Sequence, residues 1–180
     1  YTLRDPANAT DTAALTITIN GQTDGAPLIA AIDGNAGATG EATVYEKGLL
    51  TVGDTTETAT GTINAKAPDG IKSVTIGGTV FTVAQLQSFT VGSPSASIDT
   101  GKGLLSITGI TVVTGPTGAP TEANVAYTYT LKVRQDQPGA TESTDVITLS
   151  VTDTKVTPGT NTGSLTVVII DDTPTAVADT

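Results

Sequence analysis

Val146-Ile-Thr-Leu-Ser-Val-Thr-Asp153, a polar loop, and Ser164-Leu-Thr-Val-Val-Ile-Ile170 decide how this chain is read. Both segments are rich in β-branched residues and set apolar side chains against hydroxyls with a largely two-residue period, which is the pattern of strands with one face buried. The same pair opens the chain in altered spelling, as Tyr1-Thr-Leu-Arg-Asp5, a polar loop, then Ala14-Leu-Thr-Ile-Thr-Ile-Asn20. The offset is 148 residues before the loop (Tyr1 to Leu149) and 150 after it (Ala14 to Ser164), so only the loop changes length. Self-similarity at a fixed period marks a tandem array. The expected organisation is residues 1–20 as terminal strands of a preceding repeat and 21–40 as a linker with a short apolar patch at Leu28, Ile29 and Ile32. A β-sandwich repeat is expected over 41–172, with 173–180 leading to the next repeat.

Outward from these strands the same signals continue. Thr58 to Ala65 and Ile71 to Ile76 flank Pro68-Asp-Gly70, and Gly77-Gly78 is a two-residue hairpin turn of the kind that needs positive φ. Leu104 to Val113 and Val125 to Val133 are two more long strands, and Val80 to Gln87 holds the one expected helical turn. Seven or more short strands with almost no helix signal predict an all-β fold, an antiparallel immunoglobulin-like β-sandwich; a barrel is the competing architecture. The Cys-Trp-Cys core of antibody domains has no counterpart.

Composition narrows function. The 180 residues include two Phe, four Tyr and no Trp or Met, so Val, Ile, Leu, Ala and Thr methyls must fill the core. With no Cys and no His there is no disulfide, no Ser-His or Cys-His pair and no zinc site of the usual kind. No catalytic constellation is left to name, so a non-enzymatic role is expected. A formal charge of −10 with only eight dispersed Lys and Arg argues against nucleic acid. No apolar run is long enough to insert in a membrane, and no small-molecule substrate is expected.

The carboxylates sit where modules meet. The last strand runs into Asp171-Asp172-Thr-Pro174, with Asp179 close behind, and adjacent carboxylates repel unless a cation or hydrogen bonds offset them. Calcium, which takes six to eight hard oxygens, suits such a site. The stretch after residue 20 repeats the formula with Asp24 shortly before Pro27, and Asp33 and Asn35 follow. Asp5 and Asp153 hold matching places at the end of the penultimate strand, and Glu46 stands near the start of the second module, placed to complete a linker site. Each of these residues also has an ordinary reading as a turn cap or a solvated edge.

A set of short motifs then carries a resemblance. Glu46-Lys-Gly-Leu49, Pro68-Asp-Gly-Ile71, Thr75-Ile-Gly-Gly78, Val83-Ala-Gln-Leu86, Leu105-Ser-Ile-Thr108, Tyr127-Thr-Tyr-Thr-Leu131 and Ile170-Asp-Asp-Thr-Pro174 occur in order across about residues 41–179. Together they resemble the immunoglobulin-like extender repeats of giant RTX-type bacterial biofilm adhesins exported by type I secretion. The resemblance implies an extracellular, cell-surface spacer that projects a distal ligand-binding region. It also implies calcium at Asp171, Asp172 and Asp179 stiffening the rod, with neighbouring repeats of the same chain as partners. Tyr45 stands where many relatives carry a second acidic residue. Two other functions stay open on the residues alone: a filament subunit that uses residues 1–20 for β-strand addition, and a sugar- or peptide-binding sandwich module.

Overall fold

The computed structural model describes residues 1–17, 25–35, 39–137 and 142–172. In chain order its strands are β1 (Thr2–Arg4), β2 (Thr10–Thr12), β3 (Leu28–Ala31), β4 (Ala42–Tyr45), β5 (Thr58–Lys66), β6 (Ile71–Ile76), β7 (Thr79–Thr82), β8 (Ile98–Asp99), β9 (Gly103–Thr114), β10 (Pro120–Leu131), β11 (Ser143–Asp153) and β12 (Thr160–Ile170). One short helix, α1 (Val83–Ser88), follows β7, and a 3-10 turn spans Glu46–Leu49. The fold is an all-β sandwich. One sheet runs β3-β5-β10-β9-β8 and the other β4-β12-β11-β6-β7, the strand order of immunoglobulin-like sandwiches.

Strict alternation makes the core. Along β10 every second residue from Ala123 to Leu131 is buried, and along β11 Ile147, Leu149 and Val151 face inward with Asp145 and Asp153 at the two ends of the same row. Leu165, Val167 and Ile169 of β12 and Ile63 and Ala65 of β5 close the interior. In so aromatic-poor a chain the two buried tyrosines of β10 have specific seats. A Cβ added at Gly61 would stand 2.6 Å from Tyr127 Cζ, and one at Gly103 would stand 2.6 Å from Tyr129 Cε2. Each ring therefore lies over a glycine of a neighbouring strand, the pairing in which an aromatic covers exposed strand backbone. Gly77 and Gly78, at φ 54° and 81°, make the expected tight turn between β6 and β7.

Two expectations change. The 21–40 connector contains β3, whose Leu28–Ala31 pairs with Ile63–Lys66 of β5 and buries Ile29, so the sandwich takes in part of the expected linker. A four-residue edge strand has too few positions to show a period. The strand expected over 14–20 is absent from its described part, 14–17. Residues 14–17 join no ladder among the described residues, whereas the matching residues 164–167 pair with 148–145.

The hairpin β1-β2 shares no ladder with either sheet, yet its register is that of β11-β12 pair for pair. Thr2↔Thr12, Leu3↔Asp11 and Arg4↔Thr10 map onto Ser150↔Thr162, Val151↔Asn161 and Thr152↔Thr160. Leu3, Leu15 and Ile17 are exposed, whereas their counterparts Val151, Leu165 and Val167 are buried.

The first strand of the sandwich, β3, begins at one pole and the last, β12, ends at the other. Pro27, the end of β5, the Pro68-Asp-Gly70 turn, Ala119 and the β11-β12 turn lie together at the proximal pole. β4 and β12 both end at the distal pole, together with the loop that follows β10. At about 3.3 Å per residue, β12 alone carries the chain roughly 35 Å between the poles.

Candidate metal centre

At the distal pole the ladder geometry itself gathers carboxylates. Because β4 and β12 are parallel and Tyr45 pairs with Ile170, the residues that follow, Glu46 and Asp171, leave the sheet side by side, with Asp172 one step on. The 3-10 turn that opens at Glu46 turns its side chain inward, and that side chain is 0% exposed. Its Oε1 accepts the Gln135 N–H at 2.6 Å, while its buried Oε2 has no hydrogen-bond partner. One carboxylate oxygen each from Glu46, Asp171 and Asp172 lies within 4.8 Å of the others.

The loop after β10 forms the wall. Gln137 Nε2 donates to the Ile169 carbonyl at 2.9 Å and ties the loop to β12. Arg134 reaches across, with Nη2 donating to Asp172 Oδ1 at 2.7 Å and Nε standing 3.7 Å from Glu46 Oε2. One guanidinium against three carboxylates leaves the cluster anionic. Burying an ionised oxygen without a hydrogen bond is costly, which marks Glu46 Oε2 as the group that needs a further partner.

The donor set fits calcium. Oxygens bound to one calcium at about 2.3–2.6 Å stand up to about 5 Å apart, the spread seen here, and the ion accepts backbone carbonyls and water for its remaining places. Sulfur and imidazole ligands are absent from the whole chain, so softer metals have no preferred donor.

The other sequence candidates fall elsewhere. Asp153 lies at the proximal pole, where Oδ1 accepts the N–H groups of Lys155 (3.1 Å) and Gly159 (2.8 Å) and the buried Oδ2 has no hydrogen bond. Asp5 caps its own turn through the N–H groups of Ala7 and Ala9, both at 2.9 Å. Asp33 and Asn35 sit in the β3-β4 connection, where Asp33 Oδ1 accepts the Asn35 N–H at 3.0 Å. The Asn35 amide satisfies all its neighbours by donating to Asp33 Oδ1 and the Gly40 carbonyl and accepting from Thr43 Oγ1. The structure thus brings Glu46, Asp171 and Asp172 together and leaves Asp5, Asp153, Asp33 and Asn35 in separate turns. Asp24 and Asp179 lie outside the described residues.

Two contributors carry no local sequence signal. Arg134 and Gln135 belong to a loop distant in sequence from both Glu46 and Asp171, and only the antiparallel strand order shows that it shares their pole. Apart from the centre, Asp145 is a buried carboxylate that accepts the Tyr129 hydroxyl (2.8 Å) and the Thr100 hydroxyl (2.5 Å) and so bridges the two sheets. Asp99 pairs with Lys132 at 2.5 Å, and that bond holds its carboxyl below the usual range.

No helix among the described residues is long and apolar enough to cross a membrane. Comparisons with protein-family models, with curated proteins and with solved structures return no match.

Proposed function

We propose that this chain is a structural extender from a large bacterial cell-surface adhesin: repeats joined end to end, their junctions stiffened by calcium, projecting a distal ligand-binding region for adhesion and biofilm formation. The observation that carries the reading is the distal acidic centre with its buried, hydrogen-bond-free Glu46 oxygen, at the point where the chain leaves the sandwich. A rod needs modules that begin and end at opposite poles, and the positions of the start of β3 and the end of β12 support this.

Glu46, Asp171 and Asp172 would hold the ion, and a bound divalent cation supplies the positive charge that lets three carboxylates converge. Glu46 is fixed by burial and by the Gln135 N–H, while Asp171 and Asp172 belong to the departing chain, so a ligand shared among them locks the departing chain to the sandwich. Affinity is expected on the order of 10⁻⁴ to 10⁻³ M, as in extracellular modules. The hairpin's register supports reading residues 1–17 as the terminal strands of a preceding repeat, a better account of its exposed Leu3, Leu15 and Ile17 than assembly into a filament.

Melting the protein in EDTA and in millimolar calcium tests the reading. Calcium should raise the melting temperature by mass action, and identical curves would remove the ion from the account.

A further inference from the structure

Arg134 and a divalent cation would compete for the same two carboxylates. We infer that Arg134 is a built-in counter-ion of the distal centre, seated while the metal is absent and expelled when it binds, so that this one side chain sets the calcium threshold of the junction. The inference rests on the metal reading above and deepens it.

Three features of the geometry carry it. The guanidinium does not form a two-pronged bond with either acid; it is split, one nitrogen toward Glu46 Oε2 at 3.7 Å and another on Asp172 Oδ1 at 2.7 Å. It therefore bridges two of the three side chains whose carboxylates converge within 4.8 Å. The Glu46 contact is too long for a hydrogen bond, so the guanidinium offsets the buried charge without satisfying the oxygen, and a better partner gains by replacing it.

Mobility is unequal between the partners. Glu46 is fully buried and pinned by the Gln135 N–H, so it cannot follow a ligand outward. Arg134 is 56% exposed, and its long side chain can swing into water without opening the core. Exchange of guanidinium for metal is therefore a local event: one side chain leaves, and the buried acid stays. The gain in attraction must offset both the loss of the Asp172 ion pair and dehydration of the metal, which holds affinity down in the range suited to a calcium-rich exterior.

The test compares calcium titrations by calorimetry of the wild-type chain, Arg134→Gln and Arg134→Lys. With the competing charge gone, Arg134→Gln should bind calcium on the order of tenfold more tightly and melt at a lower temperature in EDTA. Arg134→Lys, which keeps a charge but loses the planar reach between the two acids, should fall between. Arg134 is one of only two arginines in the chain, so its side-chain Nε–Hε NMR signal is readily assigned. In wild type it should shift with the same calcium midpoint as the heat of binding. Equal or weaker affinity in Arg134→Gln, or an unmoved Nε–Hε signal while calcium binds, overturns the exchange and leaves the metal centre standing. Failure of every variant to bind calcium overturns the centre and the exchange together.

Discussion

Asp5 and Asp153 make the same turn at two loop lengths. Each aspartate accepts, through Oδ1, the N–H two residues on and the N–H that closes the loop, which is four residues on for Asp5 (Ala9) and six for Asp153 (Gly159). Each also donates its own N–H to that closing residue's carbonyl, at 3.0 Å in both cases. The two-residue difference is the one between the sequence offsets, so the likeness of the two segments extends from spelling to hydrogen bonds.

The matched caps should differ in consequence. Asp153 is buried against the sandwich, so Asp153→Ala strands two N–H groups and should cost about 2 kcal/mol, or roughly 4–8 °C of melting temperature. Asp5→Ala should leave the main melting transition unmoved, because the hairpin shares no ladder with the sandwich. Calorimetric melts of the two variants check both statements.

Glu46→Gln separates burial from metal binding. Without calcium the amide removes a buried charge that lacks a hydrogen bond on one oxygen, so the EDTA melting temperature should hold or rise. The calcium-dependent increment, which is about 2.7 kcal/mol at a concentration one hundred times Kd, should largely vanish. A variant that melts lower in EDTA yet keeps the full calcium increment would place the ion elsewhere.

Much of this was legible in the residues. Alternation over eight or more positions is hard to produce except as a strand with one buried face, and a pair of glycines between apolar runs is hard to place except in a tight turn, so the long strands and the Gly77-Gly78 hairpin declared themselves. β3 shows no strand period because Ile29 is its one buried residue, and it stands between Gly25-Ala-Pro27 and Ile32-Asp-Gly34. At the site, Asp171 and Asp172 were visible as a pair and Glu46 as a candidate. The full burial of Glu46 follows from the parallel β4-β12 ladder, a pairing between distant segments that no local pattern encodes. Arg134 carried no signal beyond its scarcity.

Alkaline pH should unfold the sandwich through its tyrosines. Burial, and secondarily the charge of Glu41, pushes the Tyr127 phenol up to about 12. Burial, then Asp145, raises Tyr129 as well. A raised pKa means the fold keeps a proton that the unfolded chain releases, so this stability is intact below about pH 10 and is lost as pH climbs toward about 12. Melts across that window, read with phenolate absorbance, should show the loss, and Tyr127→Phe should shrink it without abolishing it.

Tyr127→Phe should also be tolerated at neutral pH, since the hydroxyl it removes is buried without a hydrogen-bond partner. Gly61→Ala should not be. Its new methyl meets the Tyr127 ring and should cost about 1–3 kcal/mol in denaturant titrations, a penalty that combination with Tyr127→Phe only partly relieves because the ring remains.

The most direct measurement is a crystal structure of this chain grown in millimolar calcium, with anomalous difference maps at the distal pole. A calcium peak about 2.3–2.6 Å from oxygens of Glu46, Asp171 and Asp172, with Arg134 turned away, is the expected result. No peak there, with Arg134 still bridging Glu46 and Asp172, would contradict a cation-stiffened junction.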